Sequence, residues 1–308
     1  MIQPTRVRVL ADIPPTSPRK YVLYWMQQSQ RVRFNHALEY AVGQANDLGL
    51  PLVVCFGLMD DYPEANERHY AFMLDGLRDV QADLKERGIR FVCRHGNPPD
   101  AALSLAGDAA LIVCDRGYLR HQKRWRDKVA DEAGVRVVEV ESDVVVPVDE
   151  ASNRQEFAAR TIRPKVNKRR EEYLVPLKPT AVRHESLRLR VSGDIDVSQP
   201  ADALAKLKLD RSVKPVSREG GSIAADRLLK HFLQHKLPGY AEGRNEPAAG
   251  QTSLMSAHLH FGQISPVEIA IAVRDAKHAP QEDRDAYLEE LIVRRELAAN
   301  FVHHCPHY

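Results

Sequence analysis

Through the first half of the chain, short apolar runs alternate with longer stretches of helical period. "YVLYWM" (Tyr21–Met26), "LPLVVCFGLM" (Leu50–Met59), "IRFVCRH" (Ile89–His95), "ALIVCD" (Ala110–Asp115) and "VRVVEVES" (Val135–Ser142) read as strands. Between them, "NHALEYAVGQANDLG" places Ala37, Leu38, Ala41 and Ala45 on one helical face and stops at Gly49. "ERHYAFMLDGLRDVQADLKERG" does the same with Phe72, Met73, Leu77, Val80 and Leu84, ending at Gly88. Helices around "DAALSLAG" and "LRHQKRWRDKVADEAG" complete the series. Near-continuous apolar strands separated by helices predict a parallel sheet covered on both faces. The expectation is an α/β domain over residues 18–148, with a five-stranded, doubly wound, Rossmann-like sheet. In such a sheet the ligand crevice lies beyond the carboxyl ends of the strands. "WMQQSQR" after the first strand and "CDRGYLRHQKRWR" after the fourth supply polar groups there, unless both are simply solvated loops. No Gly-x-Gly-x-x-Gly or Walker A loop follows a strand, which argues against a classical dinucleotide or P-loop site.

The texture changes near Val148. "NRQEFAARTIRPKVNKRREEYLVP" is strongly basic and helical only in part, and the Pro-, Gly- and Ser-rich stretch up to Gly221 holds no sustained apolar period. Residues 149–220 therefore read as a linker draped on the surface without a core of its own. Residues 221–308 return to helical spacing, with "SIAADRLLKHFLQHKLPGY", "SPVEIAIAVRDAKH" and "RDAYLEELIVRRELAANFVHH".

Charge and composition narrow the class. Of 308 residues, 44% are hydrophobic and 28% charged, enough for real cores, and a net charge of +2 leaves any nucleic-acid surface to local patches. Cys55, Cys93 and Cys114 sit inside apolar runs with no CxxC pair, as expected of buried, reduced thiols in a cytoplasmic protein. The first twenty residues lack a signal-peptide core, and no apolar run is long enough to span a membrane. "HHCPH" (His303–His307) does not have metal-ligand spacing, so no metal site is expected.

One segment, "GRNEPAAGQTSLMSAHLHFGQISP" (Gly243–Pro266), is dense in chemistry. Ser265 can cap a helix that has Pro266 at its first position and Glu268 three residues after the cap, and Gly262 can close the helix before it. Thr252 reads as the N-cap of that earlier helix. With Ser253 and Ser256 it crowds a helix entrance, an arrangement that suits a phosphate as well as plain capping. Further on, Glu290 and Arg294 stand four apart on a helix, the spacing of an ordinary surface pair and equally of two active-site groups.

Taken together, Tyr240, Arg244-Asn245, Thr252-Ser253-Leu254-Met255-Ser256 and His260-Phe261-Gly262-Gln263-Ile264-Ser265 resemble the flavin-binding segment of DNA photolyases. "EELIVRRELAANFVHHCPHY" and "YVLYWMQQSQRVRFNHALEYAV" are similar to the class II branch, which repairs cyclobutane pyrimidine dimers. The resemblance runs from about Arg19 to Tyr308 and implies an α/β antenna domain, a linker and an all-helical FAD-binding domain. It implies that Tyr240, Thr252, Ser253, Leu254, Ser256 and Arg294 contact FAD. It also implies that Glu290 hydrogen-bonds the dimer as the catalytic carboxyl, and that Arg244 and Asn245 face the lesion and the gap left by base flipping. A deazaflavin-type antenna pigment in the α/β domain and a monomer acting on dimer-containing DNA follow by the same resemblance. Family members carry further helices, which complete the flavin pocket and hold the tryptophans that relay electrons; here the tryptophans are Trp25 and Trp125, both in the α/β half. The flavin domain is therefore expected to be incomplete, with open apolar helix faces and weak or no FAD binding. A non-catalytic flavin- or nucleic-acid-binding remnant and an α/β nucleotide-binding module with a helical interaction tail stand as alternatives.

Overall fold

The apolar runs form strands that hydrogen-bond into one sheet. The computed structural model describes residues 2–15 and 17–308. Its strands are β1 (Val7–Ala11), β2 (Tyr21–Trp25), β3 (Leu52–Leu58), β4 (Arg90–His95), β5 (Ala109–Asp115) and β6 (Arg136–Val140), in the spatial order β1-β6-β5-β2-β3-β4. The five predicted strands are parallel, but the sheet has six: β1 adds to the β6 edge in antiparallel register. Half-exposed and without clean alternation, β1 carries no periodic signal. Helices α1 (His36–Leu48) and α2 (Glu67–Glu86) pack on one face, and α3 (Pro98–Ala106) and α4 (Arg120–Glu132) on the other. Asn35 caps α1 by accepting the Leu38 N–H at 2.9 Å. Cys55, Cys93 and Cys114 are buried free thiols.

Chain order reverses at β2: one series runs outward through β3 and β4, the other through β5 and β6. That makes the carboxyl ends of β2 and β5 the switch point, where open α/β sheets bind ligands. Asp115, fully buried at the end of β5, accepts the backbone N–H groups of Gln27, Gln28 and Ser29 at 3.1, 2.9 and 2.8 Å. Arg126 donates to its other oxygen at 2.9 Å. Burial pushes the Asp115 carboxyl up, while Arg126 and the N–H donors pull it back.

The segment read as a coreless linker turns out to have two jobs. After α5 (Val148–Ala151), helix α6 (Ala159–Tyr173) buries Ile162, Val166 and Tyr173 in the core of the helical half. Farther along, the chain runs beside β4. Ser186 N–H donates to Gly88 O at 2.9 Å, Arg90 holds the Leu187 and Leu189 carbonyls, and Ile195 bridges to Cys93. Val197, Ala203 of α7 (Pro200–Lys206) and Leu207 then enter the core on the α1–α2 face.

The helical half comprises α8 (Ser222–His235), α9 (Tyr240–Gly243), α10 (Ser256–His260), α11 (Pro266–Asp275), α12 (Gln281–Leu288), a π turn over Glu289–Arg294 and α13 (Arg295–His304). Apolar faces expected to stand open are largely covered: Leu229, Phe232, Val267, Ile269, Tyr287 and Ile292 share one core with α6. Ser265 caps α11 as predicted, through the Val267 N–H, but Glu268 turns away to pair with Arg33 and no capping box forms.

A buried polar lock joins the two halves. Arg31, 1% exposed, donates to Gly262 O at 2.9 Å, Ser142 O at 2.6 Å and Asp143 at 3.0 Å. Gln263 Oε1 accepts the Gly221 N–H at 2.8 Å and lies 2.8 Å from His258 Nδ1, so that ring nitrogen carries the proton. Gln263 Nε2 donates to Phe72 O of α2. Gly262 sits at φ +65°, and a Cβ there would lie 2.2 Å from Gln28 O. Glycine is needed both for the left-handed turn and for the close approach.

Candidate functional site

Two features hold the candidate chemistry. The first is a cavity of about 850 Å³ at the switch point, roofed by α10 and α13. Tyr62, Trp125 and Phe261 supply aromatic wall. Gln30 and Asp143 also line it, each 5% exposed, and Gln30 Oε1 and Asp143 Oδ2 are buried without a hydrogen-bond partner among the described residues. Buried unpaired acceptors are costly, so they mark a place where a donor is wanted. His69 and His260 share the lining, and burial holds the His260 ring below the usual histidine range.

The second feature is a wall in the helical half, organised by Tyr287 of α12. Its hydroxyl donates to Ser253 Oγ at 3.0 Å, and its ring lies 5.1 Å from that of Tyr240 and 4.6 Å from that of Phe232. Burial pushes both phenols, Tyr240 and Tyr287, upward. The Gly239 and Ala241 N–H groups donate to Asp283, fixing α9 on α12. Arg244, just after α9, donates through Nη1 to Glu290 Oε1 at 2.5 Å. Hydrogen bonding to Glu290 raises the Arg244 pKa, with Tyr240 contributing beside it. Ser253, Tyr240, Arg244 and Glu290, from three separate stretches of sequence, are thus linked through Tyr287 in one chain of contacts. Tyr287 and Asp283, which join them, carry no sequence signal beyond helical spacing.

Other candidates fall elsewhere. Thr252 is not an N-cap: α10 begins at Ser256, and Gln251–Met255 is irregular because Leu254 adopts φ +59°. A left-handed leucine is a local strain that the surroundings must impose. The backbone N–H groups of Thr252, Ser253 and Leu254 have no partner among the described residues. Ser256 lines the cavity, on the side toward the sheet. Asn245 is exposed. Glu290 and Arg294 do not form the expected i, i+4 pair. The π turn widens the spacing, so Arg294 meets Glu289, five residues back, at 3.4 Å. Glu289 also receives both Nε and Nη2 of Arg163, at 3.0 and 2.7 Å, and is held below the usual carboxylate range by that pairing. Among the described residues no group of His, Cys, Asp and Glu side chains is arranged to hold a metal, and no helix is long and apolar enough to cross a membrane.

A doubly wound sheet whose switch-point cavity is roofed by a helical half defines the class of α/β proteins with an appended helical half. The chain belongs to the DNA photolyase family, whose model matches residues 22–183. A deoxyribodipyrimidine photo-lyase of Methanothermobacter thermautotrophicus is 42% identical over 308 residues, spanning all of this chain and 67% of that protein. One from Arabidopsis thaliana is 31% identical and is matched over 64% of its length. A bacterial class III photolyase from Agrobacterium tumefaciens superposes with a TM-score of 0.74 at 21% identity, over 95% of this chain and 61% of that one. The chain thus spans about two thirds or less of the length of these relatives.

Proposed function

We propose that the chain is the antenna half and first flavin wall of a class II photolyase, acting in light-driven splitting of cyclobutane pyrimidine dimers in DNA. The observation that carries this reading is the chain of contacts that runs from Ser253 through Tyr287 and Tyr240 to the Arg244–Glu290 pair. Reduced FAD, if held by Tyr240, Thr252 and Ser253, would supply light-driven electron donation to the dimer.

The residues suit that group. Three N–H groups without a partner among the described residues lie beside the Thr252 and Ser253 hydroxyls at a left-handed residue, and such donors suit a pyrophosphate. Tyr240 and Tyr287 pack edge to face beneath this segment. Glu290 is about 40% exposed, open to a flipped base, and a carboxyl that stabilised developing charge on that base would act by preorganisation. Arg244 and Asn245 would line the gap left in the duplex. A planar heteroaromatic pigment of the deazaflavin type would be held in this cavity by the aromatic residues Trp125 and Tyr62, and Gln30 and Asp143 would offer it acceptors.

Absorption of the purified chain tests the flavin. Light-dependent reversal of a thymine dimer in a synthetic oligonucleotide tests the repair. A flavin spectrum without reversal would favour the remnant, and neither would leave only the sheet-end cavity as a ligand site.

A further inference from the structure

Helix α9 is a single turn, and one turn does not hold itself in water, because it fixes several residues for very few hydrogen bonds. Its N-cap position is Gly239, left-handed at φ +85°, which has no side chain to cap it. Asp283 of α12, 5% exposed, supplies the cap from another element. Its Oδ2 accepts the Gly239 N–H at 2.8 Å and its Oδ1 the Ala241 N–H at 2.7 Å. Those two donors are the chain neighbours of Tyr240, so one carboxylate brackets that residue on both sides. The Tyr240 ring then stands 5.7 Å from Phe232 and 5.1 Å from Tyr287. Gln251 holds the same turn from elsewhere. Its Nε2 donates to Lys236 O at 2.5 Å and to Pro238 O at 2.8 Å, and a Cβ at Gly243 would lie 2.9 Å from its side chain. Gln251 directly precedes Thr252 and Ser253, so the turn that carries Tyr240 and the segment that carries the hydroxyls share one anchorage.

We propose that Asp283 is a positioning residue for the flavin: by bracketing Tyr240 it sets where that ring stands before the cofactor arrives. This rests on the reading of Tyr240 as a flavin contact given above. With both oxygens occupied and the side chain buried, Asp283 offers the cofactor no contact of its own. Its effect passes through Tyr240. A ring already fixed loses little freedom on binding, whereas a ring on a loose turn must be ordered at that moment. A carboxylate that served stability alone would influence binding equally whether or not Tyr240 is present; a positioning carboxylate matters only while Tyr240 is there to be positioned.

The test is equilibrium dialysis of the full chain against FAD in the dark, well below the unfolding midpoint of every variant, arranged as a double-mutant cycle. Asparagine offers one acceptor oxygen where aspartate offers two, and it turns an amide N–H toward the second donor. Asp283→Asn should weaken FAD binding about tenfold, the size of one lost hydrogen bond to a charged group. In a Tyr240→Leu background the same change should weaken it less than about twofold, because the ring that Asp283 sets is gone. Hydrogen exchange of the wild-type chain needs no variant: the Gly239 and Ala241 amides should be protected before FAD is added and gain little afterwards. Unchanged affinity in Asp283→Asn, an equal loss with and without Tyr240, or amides protected only once FAD is present would each overturn the proposal. If the wild-type chain binds no FAD, the reading of the wall falls, and the positioning role with it.

Discussion

Glu296 of α13 is 1% exposed and accepts the Val145 N–H at 2.6 Å and the Val146 N–H at 3.3 Å. It pins the strap that leaves β6, while Arg6 holds the Val144 and Val145 carbonyls from the other side. Burial pushes its carboxyl up to about 8, against the counter-pull of the two N–H donors, Arg295 and Arg6. The folded chain therefore binds this proton more tightly than the unfolded chain, whose carboxyl titrates near the ordinary glutamate value of about 4.3. The contribution is fully present below that value and is lost as pH rises to about 8. At about 1.4 kcal/mol per unit, the loss between pH 4.5 and 7 is on the order of 3 kcal/mol. Glu296→Gln keeps an acceptor oxygen for the two N–H groups and has no charge to bury. The variant should match wild type near pH 4.5 and exceed it near pH 7 by about 3 kcal/mol, a rise in melting temperature of roughly 6–12 °C. Thermal unfolding of both proteins across that range is the assay. A difference that does not change with pH would falsify the reasoning, because it would mean that Glu296 keeps its charge when buried.

Gly262→Ala should cost about 2–5 kcal/mol, from left-handed strain plus overpacking against Gln28 and Ser29, and should lower the denaturant midpoint. Asp115→Asn leaves Arg126, 1% exposed, without its counter-ion, and should destabilise by about 3–5 kcal/mol in the same measurement. Gln30→Leu removes a buried acceptor that lacks a partner; it should stabilise the ligand-free chain by about 1 kcal/mol and weaken deazaflavin binding measured by fluorescence. Glu290→Ala, in an assay where repair is observed, should retain flavin absorbance and lose repair yield.

Elements written in periodicity were legible in the sequence; those set by long-range partners were not. The strands from Tyr21 to Val140 show as apolar runs because both faces of a parallel sheet are covered. Ser265, Pro266 and Gly262 signal their turns through local chemistry alone. Helix α6 hides because Pro164 and a dense set of Arg and Lys residues dilute the spacing of Ile162, Val166 and Tyr173. Thr252 misleads because left-handed Leu254 delays the helix to Ser256. Arg294 looks like a partner of Glu290 until the π turn shifts the pairing by one residue. Asp115 reads as the last letter of an apolar run; its role as acceptor for three N–H groups depends on a loop eighty-six to eighty-eight residues earlier in the chain.

The return of the chain along β4 has a consequence during synthesis. The edge of β4 is bridged by Ile195, and the adjoining core is not complete until Leu207 has been added, 112 residues after β4 ends at His95. At ribosomal speed that interval is roughly 6–22 s. Throughout it the nascent sheet shows a bare, apolar edge to its neighbours on the same message, the condition under which strands of two chains pair with each other. The stretch from Ser186 to Leu207 thus works as an intramolecular escort that arrives late. A slow codon placed before it should raise the aggregated fraction, and the same codon placed after it should not.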